Sequence, residues 1–308
     1  MNTQSNPISQ TRGEGPSLAR AAAWWDGPFY WSVRRELWEY RSIYLAPLAV
    51  AAIFVIGFMI NMLSLRRKLL LAGPSELAQQ HGLLTTRYEA SAALIMGTAL
   101  IVGVFYALDA LYGERRDRSI FFWKSLPVSD LTVVLSKVAV PIVILPLVSF
   151  VIAIATQFVM LLLSTVFLAG SGISISELWT EASFFHVSLV ILYHLLTVHG
   201  LWYAPFFGWF IFVSAWARRA PFIWAFLPPF VISVVEKIAF NSSHFAGFVL
   251  NRLAGPHSSI PMEPGAHTNL MALIPAHFFS EPGLWTGLLI AAVFIALAVR
   301  LRRYHGPI

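Results

Sequence analysis

The sequence contains no cysteine. Disulfides, thiolate nucleophiles and cysteine-ligated metals are therefore excluded. Charge is scarce as well: 12% of the residues are Asp, Glu, Lys or Arg, about half the share of a soluble domain. No G-x-x-x-x-G-K-[ST] stretch occurs to cradle a nucleotide's phosphates, so ATP hydrolysis by that route is beyond this chain alone. H-E-x-x-H and G-x-S-x-G are missing too, which weakens a reading as a membrane-embedded hydrolase.

Apolar side chains fill the space that charge leaves. They make up 57% of 308 residues, and mean hydropathy is +0.70. They arrive in long blocks, where an amphipathic soluble helix would show short periodic runs. The expected fold is an all-α integral membrane protein, a six-transmembrane-helix bundle. A formal net charge of +6 raises nucleic acid as a partner. No Lys/Arg stripe interleaved with aromatics supports one, and basic residues flanking membrane segments explain the excess. The lipid bilayer is the expected partner.

A spanning helix needs about 20 apolar residues to cross about 30 Å of hydrocarbon. Gaps between charges place such stretches near 44–63, 90–111, 138–168, 187–213, 221–240 and 284–300. Pro141 and Pro146 suggest a kink or extension at the start of the third, and Pro228-Pro229 interrupt the fifth. With the N-terminus placed inside, fifteen Lys and Arg fall on inner segments and six on outer ones, the Arg66–Lys68 cluster being the main exception. That asymmetry predicts a multi-pass protein with both termini in the cytoplasm. Residues 1–22 are polar and Gly/Ser/Pro-bearing, and read as a disordered cytoplasmic tail ahead of a transmembrane domain over 23–308. Before the first span, Tyr30, Val33, Leu37 and Tyr40 recur at helical spacing, flanked by Trp31 and Trp38. They predict an interfacial helix with its rings at headgroup level, or else a plain extension of the first span.

The outer segments 64–88 and 241–281 are long enough for small helices or a cap. His244, His257, His267 and His277 lie in the second, with Glu263 and Glu281. An enzyme built on these His and Glu residues is the main rival reading. It needs three or four of them to converge on a metal with an ordered second shell, and nothing in their spacing requires that. His194 and His199 are five apart, an awkward spacing for one helical face, and His186 lies eight before His194. No metal or catalytic residue is assigned. A membrane anchor for a cytoplasmic complex is a further rival.

Three ionisable residues are expected at membrane depth: Asp109, Glu236 and Lys237. Asp109 has Arg115 and Arg116 nearby for a salt bridge at the membrane surface. Glu236 and Lys237 are neighbours that point apart on a helix, so each needs its own partner.

The most informative stretch is 109–137, DALYGERRDRSIFFWKSLPVSDLTVVLSK. Five charged residues, Glu114 to Arg118, precede the aromatic run Phe121-Phe122-Trp123. Leu126-Pro127-Val128 then breaks the chain. Ser129 is placed to N-cap the next helix, with Asp130 in its first turn. This pattern predicts a short amphipathic helix between two spans, unless it is an ordinary basic loop anchored by aromatics. The run resembles the first cytoplasmic loop of ABC-2 type permeases, the membrane subunits of bacterial ATP-binding-cassette exporters. The matching residues are Glu114-Arg115, Ile120 to Trp123, Leu126-Pro127-Val128-Ser129 and Ser136-Lys137, where Ser136 replaces the family's Gly. The six-span layout and the helix before the first span extend the resemblance over nearly the whole chain.

That resemblance implies a coupling helix against a separate ATPase, with a second permease copy completing the transporter in a bacterial inner membrane. It would place Phe122, Trp123 and Leu126 in a knob, Glu114, Arg115, Asp117 and Arg118 in a rim around it, and Lys124, Pro127 and Asp130 in the same contact. ATP and Mg would be bound by the partner ATPase, with no cofactor in this chain.

Overall fold

A computed structural model describes residues 27–69, 74–125, 128–168, 184–256 and 278–304. The tail at 1–22, Leu126, Pro127, His257, His267 and His277 lie outside the described residues, as do the side chains of Arg66, Arg67 and Lys68. Every regular element is helical, and no strand occurs among the described residues. The α-helices are α1 (Pro28–Glu39), α2 (Ser42–Leu69), α3 (Pro74–Asp109), α4 (Tyr112–Arg116), α5 (Ile120–Ser125), α6 (Asp130–Ala139), α7 (Leu145–Leu168), α8 (Phe184–His194), α9 (Ala204–Trp216), α10 (Pro221–Phe240), α11 (His244–Ala254) and α12 (Pro282–Tyr304). Two π-helical segments, Val140–Ile144 and Leu195–Trp202, join α6 to α7 and α8 to α9.

Among the described residues, five stretches are long and apolar enough to cross a membrane: Ser42–Ser64, Arg87–Arg116, Asp130–Phe167, Pro221–Phe240 and Pro282–Tyr304. Ser188–Trp202 and Ala204–Trp216 together make a sixth, bent by 48°. The chain is a multi-pass membrane protein. Cross-bundle bonds fix the relative direction of the second, third and fourth passages. The start of the second span meets the end of the third where Tyr88 Oη lies 3.0 Å from Ser164 Oγ. The end of the second meets the end of α9 where the Leu111 N–H donates to Ser214 Oγ at 2.9 Å. α1 and the end of α12 share one end of the bundle, through Lys137–Glu36 and Arg302–Glu114, and α11 lies at the other, where Arg252 meets Trp202 and Gly283.

Proline shapes three of these passages, each differently. Pro141 and Pro146 do not break the third span. Pro141 stands at the start of a π-helical turn and Pro146 in the first turn of α7, and helix runs on from Asp130 to Phe167. The expected start at 138 therefore moves one helix earlier. In the fourth passage Pro205 stands in the first turn of a new helix, where its missing N–H costs nothing, and the span bends at Tyr203. Gly200 permits the two π-segments to touch, because a Cβ there would lie 2.8 Å from the Ile142 carbonyl oxygen.

The fifth passage corrects the sequence reading: α10 is not interrupted at Pro228-Pro229. Pro229 has no N–H to give the Ala225 carbonyl four residues back, and the Trp209 indole N–H of α9 fills that vacancy at 3.0 Å. Elsewhere α10 is barely covered, with Ala225 its one buried residue. The main core lies between α9, α12 and the ends of α3 and α6, around Leu111, Val134, Phe207, Phe210, Ile211 and Ala298.

Candidate functional site: a buried charge cluster behind an exposed aromatic corner

α1 starts at Pro28 behind Gly27 and lays Val33 and Glu36 inward. The face of Tyr30, Val33, Leu37 and Tyr40 does not lie on lipid as expected. Val33 is buried, and Leu37 and Tyr40 pack with Ile43, Tyr106 and Ala110. Glu36 sits inside this apolar stripe, so its carboxylate must be matched where it is buried. Lys137 of α6 matches it, with Nζ 2.9 Å from Oε1, and the Tyr106 hydroxyl donates to Oε2 at 2.8 Å.

Lys137 reaches a second carboxylate. Its Nζ is 3.2 Å from Glu114 Oε1, held by charge more than by an aligned hydrogen bond. Arg302, in the last turn of α12, lies 3.3 Å from Glu114 Oε2 and also donates to Asp130 in the first turn of α6. Arg35 Nη2 stands 3.7 Å from Glu114 Oε1 and 2.9 Å from Glu39. Glu36, Glu114 and Asp130 are thus balanced by Lys137, Arg302 and Arg35. Four separate segments, α1, α4, α6 and α12, are tied at one point. The Lys137 side chain is only 1% exposed. Breaking such a buried pair by removing one partner typically costs about 3–5 kcal/mol.

Arg115 is also buried. Its guanidinium donates to the carbonyls of Ala215 and Ala217, which the C-terminus of α9 leaves without helical partners. Ser214 of α9 returns the favour at the start of α4, accepting from the N–H groups of Leu111 and Tyr112 at 2.9 and 2.8 Å. The two helix ends cap each other. The expected rim is therefore split. Asp117 and Arg118 are exposed, whereas Glu114 and Arg115 are structural members of the bundle. α4 belongs to the end of the second span and not to a free amphipathic helix.

The exposed part of the segment is α5. It follows a corner at Arg118, whose φ of 58° is left-handed. Ile120 plugs into the bundle, while Phe121 and Phe122 project at 61% and 60% exposure. Trp123 is half-buried with the Arg35 guanidinium 3.4 Å from its ring centroid, and Lys124 reaches the Arg303 carbonyl. Ser129 caps α6 as expected, accepting from the Thr132 N–H at 3.1 Å with Asp130 behind it.

Two of the three residues expected at membrane depth, Asp109 and Glu236, have partners. Asp109 accepts from the Tyr40 hydroxyl at 3.0 Å and stands 3.9 Å from Arg116. Burial, then the nearby Asp109 and Glu36 charges, raise the Tyr40 phenol well above its usual range and keep it a donor. Glu236 caps α11, accepting from Ser242 Oγ, the His244 N–H and the Phe245 N–H at 2.7–2.9 Å. Lys237 is exposed.

Sequence reasoning missed Glu36, Lys137 and Arg302 as cluster members. It also missed a clamp at the far end of the bundle. There Arg252 of α11 lies with its guanidinium carbon 4.0 Å from the Trp202 ring centroid, and donates to the carbonyls of Trp202 and Gly283. The Trp202 indole donates back to the Arg252 carbonyl at 2.8 Å. Burial lowers the Arg252 guanidinium from its usual value, and the Glu281 charge opposes that. Among the described residues no three His, Asp or Glu side chains gather as metal ligands. Comparison with family models, with characterised proteins and with solved structures finds no match.

Proposed function

We propose that this chain is the permease subunit of an ATP-driven exporter of the ABC-2 kind, coupled to a separate ATPase through the segment 114–130. One observation carries the reading: the exposed aromatic corner at Phe121-Phe122 is attached, through Ile120, Trp123 and the Glu114 cluster, to α1, α6 and α12 at once. A protein seated on that corner would push on several spans together, which a plain basic loop would not allow. The charged end of the bundle is then the cytoplasmic side, in keeping with the excess of Lys and Arg on that side. Nucleotide and Mg would belong to the ATPase, since this chain has no phosphate loop, and a second permease copy would complete the transporter.

The apolar corner would enter a groove of the partner, with Asp117, Arg118 and Lys124 in water around it. The test is co-purification of the chain with an ABC ATPase expressed beside it, with ATP hydrolysis followed in lipid vesicles. Stable association and stimulated hydrolysis are expected, both lost in Phe121→Ala/Phe122→Ala. No association, or association indifferent to that substitution, would overturn the reading.

A further inference from the structure

Arg34 and Arg35 are neighbours with different surroundings. Arg35 is bound to Glu39, Glu114 and Trp123. Arg34 lies on the side of α1 that faces away from the bundle. Its guanidinium carbon is 5.1 Å from the Trp31 ring centroid and 4.7 Å from that of Trp38. Among the described residues no carboxylate pairs with it. The two indoles are themselves 53% and 67% exposed. The spacing 31, 34, 38 makes one stripe, opposite the buried positions Val33 and Glu36.

The location of this stripe is fixed by the chain. α1 ends at Glu39, and the first span begins at Ser42 after a single turn at Tyr40. The stripe therefore sits at the level of the membrane surface, where indole rings reside by preference and lipid phosphates are the abundant anions. We infer that Trp31, Arg34 and Trp38 form a binding site for the phosphate of an anionic phospholipid. Two aromatic faces hold the guanidinium in place, so that its N–H groups meet a phosphate without first losing side-chain freedom. Those faces, being occupied by Arg34, are not free to cage a choline, and the same cation repels a zwitterionic headgroup's ammonium. The preference is for a lipid with net negative charge, such as phosphatidylglycerol. The inference rests on the membrane-spanning fold and not on the transport reading.

The experiment uses the detergent-purified chain titrated with phosphatidylglycerol or phosphatidylcholine, with bound lipids counted by native mass spectrometry. Wild-type protein should prefer phosphatidylglycerol. Arg34→Gln should weaken its binding about fivefold. Trp31→Leu/Trp38→Leu should weaken it while leaving the charge in place. Arg41→Gln, which removes a nearby exposed cation without flanking rings, should have a smaller effect. Excess inorganic phosphate should not displace the lipid. Equal binding by Arg34→Gln and wild type, or an equal loss in Arg41→Gln, would reduce the site to general surface charge and overturn the inference. Displacement by inorganic phosphate would overturn the lipid assignment.

Discussion

Lys137 Nζ lies 2.9 Å from Glu36 Oε1 although the residues stand 101 positions apart. This bond joins the helix before the first span to the helix that opens the third. Lys137→Met should destabilise the protein by about 3–5 kcal/mol, because Glu36 and Glu114 are left buried with less positive charge. Glu36→Met/Lys137→Met removes one charge of each sign and should recover part of that loss. Thermal unfolding in detergent checks both, and a double variant no better than the single would contradict a shared pair.

The split between Glu114 and Asp117 is testable in the same way. Glu114→Gln removes the carboxylate that holds Lys137, Arg302 and Arg35, and should lower the unfolding temperature clearly. Asp117→Asn touches only the exposed Arg116 and should leave it unchanged. Arg116 lowers the Asp117 pKa through a side-chain hydrogen bond. Equal effects from the two substitutions would place Glu114 back in solvent.

At the aromatic corner, the proposed docking of an ATPase predicts that Phe122→Ala weakens the association by about 2 kcal/mol, as is usual for an aromatic interface anchor. Arg118→Ala should weaken it less, since charges at a wet rim contribute little. Trp123→Ala should additionally loosen α5, because Arg35 loses the ring it stacks on. Calorimetric titration of the permease in nanodiscs with purified ATPase separates these outcomes from a loss of fold.

The bond between Trp209 and Ala225 invites a double-mutant cycle. Trp209→Phe should cost about 1–3 kcal/mol by leaving a buried carbonyl unpaired. Pro229→Ala restores a backbone N–H that can serve the same carbonyl, so Trp209→Phe should cost less in that background. Additive costs in the unfolding free energies would show that the indole is not replacing the proline's missing donor.

The far-end clamp depends on a missing side chain. A Cβ at Gly287 would collide with Arg252 Nη2 and lie 2.6 Å from its Cζ. Gly287→Ala should expel the guanidinium from Trp202 and release α11. Faster amide exchange over His244–Ala254, with α1 unaffected, is the expected readout.

The spans were legible because a bilayer imposes a length: a helix must stay free of charge for about 20 residues, and the gaps between charges show where. The charge-free 44–63 stretch agrees with a helix observed over Ser42–Ser64, and 221–240 agrees with one over Pro221–Phe240 although Glu236 and Lys237 lie near its end. What proline does inside a span was not legible. Pro141 widens a helix, Pro205 starts one, and Pro229 leaves its helix intact, the last because of an indole on another helix. Local sequence carries no sign of that donor. The charge cluster was hidden for a similar reason. Glu36, Glu114, Lys137 and Arg302 meet across the fold, and Glu114 and Arg115 in a run of five charged residues look solvated. One signal was present: Glu36 follows Val33 by three and precedes Tyr40 by four, a carboxylate inside an apolar stripe.

α10 is fastened chiefly near its first half, by Ala225 and its bond from Trp209, while its second half presents Phe230, Val235, Ile238 and Phe240 outward. Mechanically it is a cantilever. Beyond the prolines it carries α11 on its tip, joined there by Glu236, and that tip is moored to the bundle by the Arg252 guanidinium and by bonds from Trp202 and Tyr203 to the carbonyls of Arg252 and Leu253. Were that mooring released, the free lever beyond Trp209 would run to the tip of α11, and a small rotation at the pivot would become a large sideways displacement at the opposite face.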